Sequence, residues 1–241
     1  MQHLLDECYK IYPQWKDGVP KERVMEFIYD YFNQDTIDMD EYIEMHPTPL
    51  TETDMDIDVD HFLQEIEQYS DKFDQWGPRH TQFPRYGIPL VNMTGSLDEN
   101  PDPSRMPLDE YFMRYNKEGE IIFDDMIKEK TQVCNMSSLS PLHKIFPYLT
   151  RSAILKWDIM GHFKPHIDVV LPSPILRLWG TTSTNIVLKM DKKVINNIKP
   201  GKIYLIDTSL IHEAFATADG VYQFFLSCDI AAKDILKESI V

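Results

Sequence analysis

Apolar side chains change their spacing part-way along this chain of 241 residues. In the first third they recur at helical intervals. Val24, Phe27, Ile28, Tyr31 and Phe32 share one stripe of a helix predicted over about residues 20–33, and Phe62, Ile66, Tyr69 and Phe73 do the same over about 60–73. Between them lie Asp35, Asp38, Asp40, Glu41, Glu44, Glu52, Asp54, Asp56, Asp58 and Asp60, broken by Pro47 and Pro49, a pattern that predicts a solvated linker or mobile flap. Residues 77–107 carry repeated Pro and Gly around one apolar piece at 88–91, room for one short strand, and 109–117 and 141–150 can each hold a short helix. From Ser152 onward the period shortens. Strand-like pieces fall at 153–159, 175–179, 185–190, 193–198, 202–206 and 221–228, separated by Gly, Pro and Asp turns. Short strands at this density predict a sandwich or barrel. The expected layout is mainly β with α: an N-terminal helical extension with its acidic linker in residues 1–76, and a barrel domain in 77–241.

Charge narrows the partners. With 24 basic and 39 acidic residues the chain has a net charge of −15, so DNA or an anionic membrane surface meets a repulsive mean field. No Lys/Arg cluster offsets it, and neither nucleic acid nor membrane is expected as a partner. Cys8, Cys134 and Cys228 are odd in number and include no Cys-x-x-Cys pair, which fits reduced structural thiols. The start lacks a basic and apolar leader, and no apolar run approaches the length of a bilayer span. A cytoplasmic location is expected.

Candidate chemistry lies in the strand-rich part. Gly161-His-Phe-Lys-Pro-His-Ile-Asp168 ends in His-x-Asp, and an extended strand sets His166 and Asp168 on one face. Further on, Pro200-Gly201 turns the chain into an apolar strand that leads to His212. Two imidazoles and one carboxylate make a facial triad that suits iron(II) and leaves coordination positions open, whereas a closed structural site needs a fourth ligand. His162 follows a turn glycine and is not expected among the ligands. His80 and His143 fall in the loop-rich half, where a surface position is the expectation, and Trp157 and Trp179 either fill the core or line a pocket. Asp54-x-Asp-x-Asp-x-Asp60 with Glu65 has the spacing of a calcium loop, but Val59 stands where that loop needs glycine, so a solvated acidic segment is expected instead.

The stretch from Trp157 to Asp229 resembles the 2-oxoglutarate-dependent oxygenases. Gly161-His-x-Lys-Pro-His-x-Asp168 followed by Arg177 is similar to their aspartyl/asparaginyl β-hydroxylase branch, and Arg85-Tyr-Gly-Ile-Pro-Leu90 looks like a pre-barrel strand of related proteins. The resemblance implies a double-stranded β-helix (jelly-roll, cupin-like) barrel with the N-terminal helices packed on it. It implies Fe(II) held by His166, Asp168 and His212, with 2-oxoglutarate and O2 as cosubstrates. An amino acid, free or within a peptide or protein, would be hydroxylated as 2-oxoglutarate becomes succinate. Members usually carry an Arg about ten residues beyond the distal His for the far carboxylate of 2-oxoglutarate; here Tyr222 and Gln223 stand there. Arg177 is therefore the expected anchor, with Thr181, Thr184 or Tyr222 assisting. Two other readings stay open: a cupin-like metal-binding or sensing protein without turnover, and a metal-dependent hydrolase or isomerase.

Overall fold

A computed structural model describes residue 6 and residues 20–22, 24–25, 37–76, 84–98, 127–168 and 175–241. The predicted stripe at Phe27, Ile28, Tyr31 and Phe32, the predicted helix at 109–117, and also Cys8 and His80, lie outside the described residues. Among them, Val24 is fully buried.

Three short helices are described: α1 (Met39–Met45), α2 (Val59–Ile66) and α3 (Lys233–Ser239). Asp38 and Asp58 cap the first two, their carboxylates accepting the backbone N–H of Glu41 and His61. The strands are β1 (Leu50–Asp56), β2 (Asp74–Gln75), β3 (Arg85–Asn92), β4 (Glu129–Lys130), β5 (Ser152–Trp157), β6 (His162–His166), β7 (Ile175–Thr181), β8 (Ile186–Met190), β9 (Lys193–Val194), β10 (Lys202–Ile206), β11 (His212–Ala216) and β12 (Val221–Asp229). Where a short helix was expected at 141–150, 3-10 turns form at Ser137–Leu142 and Phe146–Tyr148.

Among the described residues the strand pairings are antiparallel and form two sheets. The larger runs β1-β10-β7-β12-β5-β3-β2 with β4 beside β3, and the smaller runs β6-β11-β8-β9. From β5 onward the chain passes back and forth between the sheets, which makes the fold a double-stranded β-helix, mainly β, with helices on one side. Gly201 turns the chain into β10 at φ +83°, and a Cβ there would come within 2.3 Å of the Ile57 carbonyl oxygen. Of the predicted strand at 193–198 only Lys193–Val194 pairs. No helix among the described residues is long and apolar enough to cross a membrane.

The acidic segment is not a linker. Its residues Leu50–Asp56 pair with β10, with Leu50 opposite Ile206 and Glu52 opposite Tyr204, so the larger sheet draws strands from both sides of residue 77. The alternation is present but written in unusual letters. Thr51, Thr53 and Met55 are buried while Asp54 and Asp56 face out, and the Thr53 hydroxyl donates to the Ile203 carbonyl at 2.7 Å. Glu52, Asp54 and Asp56 meet Lys199, Lys144 and Lys202. An extended strand that sends alternate carboxylates to separate lysines cannot wrap one cation, which disposes of the calcium-loop spacing.

The larger sheet is buried on both faces. One face packs Ile154, Leu178, Leu205, Phe224 and Leu226 against Tyr42, Met45, Phe62 and Ile66 of α1 and α2. The other packs Leu155, Trp157, Trp179, Tyr204 and Ile206 against Leu188, Met190 and Ala214 of the smaller sheet. Each fully buried side chain of this size contributes roughly 1.5–3 kcal/mol. Burial on both faces explains why β5, β7, β10 and β12 show near-continuous apolar runs. Cys134 and Cys228 are free and buried, and burial raises both thiols, Cys134 to about 11.

Candidate metal centre and its cavity

The register of β11 against β6 places His212 directly opposite His166, with ring centroids 4.3 Å apart. Asp168 reaches the same spot by another route than expected. β6 ends at His166, so Asp168 does not share the strand; its backbone N–H donates to the Thr208 carbonyl at 3.1 Å, which holds the chain against the turn before His212. Asp168 Oδ1 lies 3.4 Å from His166 Nε2, and Oδ2 lies 3.7 Å from His212 Nε2. One donor atom from each of the three residues falls within 4.8 Å of the others, a group of His, Cys, Asp or Glu that could hold a metal ion. Donors about 2.1 Å from a shared ion at right angles would sit roughly 3 Å apart, so closing on a cation takes small side-chain rotations.

The outer nitrogens are already committed. His166 Nδ1 lies 2.6 Å from the Lys164 carbonyl oxygen, and His212 Nδ1 lies 3.0 Å from that of Leu210. A carbonyl accepts only from N–H, so each Nδ1 carries a proton and Nε2 is the nitrogen turned toward Asp168, the arrangement that orients metal-binding imidazoles. Burial by itself would raise the Asp168 carboxyl. His166 and His212, with Arg177 farther off, outweigh it and hold the carboxyl far below the usual range. Burial opposes a charged His166, but Asp168 prevails and pushes its pKa up. Protons therefore compete with a cation for this site as the pH falls. Two imidazoles and one carboxylate, with no fourth ligand among the described residues, fit iron(II) with positions left open.

The triad forms part of the wall of a cavity of about 410 Å3 between the two sheets. Trp179, Leu188, Ile206, Ala214 and Phe225 give it apolar sides. Arg177 lies where expected, buried in the wall; its Nη1 donates to Ser227 Oγ, and its guanidinium stands 5.2 Å from the Phe225 ring centroid. Thr181, Thr184 and Tyr222 are not brought to the cavity. The Thr181 hydroxyl donates to the Tyr222 carbonyl at 3.0 Å, and Thr184 is exposed. The Tyr222 ring points to the opposite face, with centroids 5.6 Å from Phe62 and 5.8 Å from Phe73. For Tyr222 the cause is strand alternation: on β12 Gln223 and Phe225 line the cavity, one residue out of step with Tyr222, whereas Thr181 lies opposite Gln223 and commits its hydroxyl to the Tyr222 carbonyl.

Several cavity residues carry no signal that points to them locally. Trp76 and Arg151 come from outside the barrel motif and meet there, with Arg151 5.5 Å from the Trp76 ring centroid. Gln223 and Phe225 could have been found by reading 221–229 with period two. Gln223 and Thr208 both line the cavity and are almost completely buried, and neither Gln223 Oε1 nor Thr208 Oγ1 has a hydrogen-bond partner. A buried acceptor left unpaired costs about 1–3 kcal/mol.

The remaining candidates are settled by position. His162 lies on β6 3.3 Å from Glu213 and edge-on to Phe215, apart from the triad. His143 is exposed beside Phe146. Trp157 is core, and its ring packs on Phe163, while Trp179 is both core and cavity wall. Arg85 is buried beneath the strand of the triad, its guanidinium 3.7 Å from the Phe163 ring centroid.

No family model matches this chain, and no curated protein matches it in sequence. Solved structures similar to it include an oxidoreductase of the 2OG-Fe(II) oxygenase family from Burkholderia pseudomallei, with 12% identity, 70% of this chain and 78% of that one covered, and a TM-score of 0.36. A prolyl hydroxylase from Trichoplax adhaerens, in complex with a hypoxia inducible factor peptide fragment, gives 14%, 73%, 80% and 0.36 in the same order. A predicted oxalate decarboxylase from Thermotoga maritima gives 15%, 39%, 75% and 0.28. Scores this low leave the chemistry of the centre to be judged on its own side chains.

Proposed function

We propose that this chain is an Fe(II)- and 2-oxoglutarate-dependent dioxygenase that hydroxylates an amino acid, free or within a peptide or protein. The observation that carries it is the convergence of His166 Nε2, His212 Nε2 and an Asp168 carboxylate oxygen on the wall of a cavity that also holds Arg177. His166, Asp168 and His212 would hold the iron, which with 2-oxoglutarate and O2 supplies the power to convert a C–H bond into an alcohol as succinate forms. The protein binds, orients and excludes water. The Arg177 guanidinium, whose Nη1 donates to Ser227 Oγ, would pair with the far carboxylate of 2-oxoglutarate by charge-assisted hydrogen bonds. Trp179, Leu188, Ile206 and Phe225 keep the reacting volume dry. The sequence Gly161–Asp168 with Arg177 supports placement beside the aspartyl/asparaginyl β-hydroxylases, and the net charge of −15 supports a small or peptide substrate over a nucleic acid. The cytoplasm is the proposed location.

Anaerobic addition of Fe(II) and then 2-oxoglutarate tests this reading. A weak visible charge-transfer band, followed by succinate release on admitting air, is the expected result. One observation favours a second reading, metal binding without turnover: Tyr222 and Gln223, not an arginine, stand about ten residues beyond His212, where the oxygenases that the sequence resembles usually carry the cosubstrate anchor. Tight Fe(II) binding with neither band nor succinate would establish that second reading.

A further inference from the structure

Two of the three candidate metal ligands hang on one short turn. Between β10 and β11, residues 207–211 bring the Thr208 carbonyl oxygen to the Asp168 backbone N–H at 3.1 Å and the Leu210 carbonyl oxygen to His212 Nδ1 at 3.0 Å. Asp168 comes from beyond the end of β6 and His212 opens β11, so a single piece of backbone orients a carboxylate and an imidazole that reach the centre separately. The shape of that piece sets the distance between them, 3.7 Å from Asp168 Oδ2 to His212 Nε2.

Asp207 holds that shape. Its Oδ1 accepts the Ser209 backbone N–H at 3.1 Å and also the Ser209 hydroxyl, and its carbonyl accepts the Leu210 N–H at 3.3 Å. An aspartate that accepts from its own backbone two residues on closes a turn by itself. The turn is tied at both ends as well: the Asp207 N–H donates to the Pro49 carbonyl at 3.0 Å, and the Ile211 carbonyl accepts the Asp191 N–H at 2.7 Å. Behind it stands α1, with Tyr42 and His46 buried and stacked at 4.0 Å between ring centroids. Burial and then the charge of Asp207 push the Tyr42 hydroxyl up, and the same charge opposes the burial that lowers His46, so the carboxylate lies close to both.

From these contacts we infer that Asp207 is a positioning residue of the metal centre: its carboxylate fixes the 207–211 turn, whose Thr208 and Leu210 carbonyls aim Asp168 and His212 at one ion. Asp207 acts through the backbone and is not among the three donors. The inference rests on the metal-binding part of the proposed function, and it holds whether or not the loaded protein turns over.

Titration of the full chain with Co(II), followed by visible absorption, tests it. Removing an outer partner of a metal ligand typically weakens binding roughly 10–100-fold, and Asp207→Ala should weaken Co(II) binding at least ~tenfold. Asp207→Asn keeps an acceptor oxygen for Ser209 and should stay within about threefold of the parent. Ser209→Ala removes one of the two donors to Oδ1 and should fall between them. Glu65→Gln loosens the helix side of the larger sheet and should leave the Co(II) affinity unchanged, which separates positioning from a general loss of stability. Three results would each overturn the inference: Asp207→Ala binds Co(II) as the parent does, Asp207→Asn loses as much affinity as Asp207→Ala, or Glu65→Gln loses as much as either. Where Asp207→Ala does not fold, Ser209→Ala decides, with binding at least ~threefold weaker in support and parental affinity against. The two hypotheses fail separately. A parent that binds no Co(II) removes the metal centre and the proposed function with it, whereas a parent that binds it beside an unchanged Asp207→Ala removes the role of Asp207 alone.

Discussion

The two faces of the larger sheet are made of the same strands and serve different ends. Toward the helices, β7 presents Leu176 and Leu178, β10 presents Ile203 and Leu205, and β12 presents Tyr222, Phe224, Leu226 and Cys228, all within one apolar cluster. Toward the smaller sheet, the intervening positions are Arg177, Trp179, Gln223, Phe225 and Ser227. The helix-facing positions of these strands carry only the Tyr222 hydroxyl and the Cys228 thiol as polar groups. The other face keeps a buried arginine in its wall and an amide oxygen with no partner. A face that only stabilises has no reason to hold such groups, because each costs desolvation. The contrast teaches that stability is drawn from the helix side, and that the cavity side gives up part of it to bind something.

Breaking the helix side should have the largest effect. Phe224 packs at 5.0 Å from Phe62 by ring centroids, and Phe224→Ala should lower the unfolding free energy by about 3–5 kcal/mol in urea titrations. On the cavity side, Asp168→Ala should weaken Fe(II) or Co(II) binding at least ~100-fold, about 2.7 kcal/mol, in anaerobic titrations, and abolish succinate release. Retained affinity would mean that the triad is not the metal site. Arg177→Ala should leave the metal bound and raise the 2-oxoglutarate requirement at least tenfold, about 1.4 kcal/mol, as read from succinate release against cosubstrate concentration. An unchanged requirement would move the anchor elsewhere in the cavity.

The smallest effect sharpens the comparison through pH. Glu65, on α2, accepts hydrogen bonds from Ser138 N–H, Ser137 N–H and Ser137 Oγ, and these contacts lower its pKa from 4.5 to about 2. A carboxyl lowered on folding adds stability above its unfolded pKa and loses it as the pH falls toward the folded value. Glu65→Gln should therefore cost about 1 kcal/mol at pH 7, a figure reduced for its partial exposure. That difference should fade between about pH 4.5 and pH 2. Chemical denaturation at both ends of the window checks it, and a constant difference would show that the carboxylate charge contributes nothing.

The strands from Ser152 onward were legible because burial on both faces leaves apolar runs between turn residues, and the Pro200–Gly201 turn is where its residue types place it. β1 was not, because Thr51 and Thr53 fill buried positions with hydroxyls that bond to neighbouring carbonyls, and the acids between them hide the alternation. At the candidate centre, His166, Asp168 and His212 were visible as residue types at a meaningful spacing. Their meeting was not. It depends on the register of β6 against β11 and on the Asp168–Thr208 hydrogen bond after the strand has ended.

Local patterning by itself determined that this chain would be mostly β in its second half, that a helix would follow the acidic stretch near residue 60, and that two histidines and an aspartate were the metal-binding candidates. Those are properties of side-chain type and period, which need no partner to be read. Tertiary structure decided which residues share the cavity: it brought in Trp76, Arg151 and Gln223 and sent Tyr222 elsewhere. The physical reason is that a strand offers every residue one of two faces, and only pairing with distant strands settles which face looks into the space between the sheets.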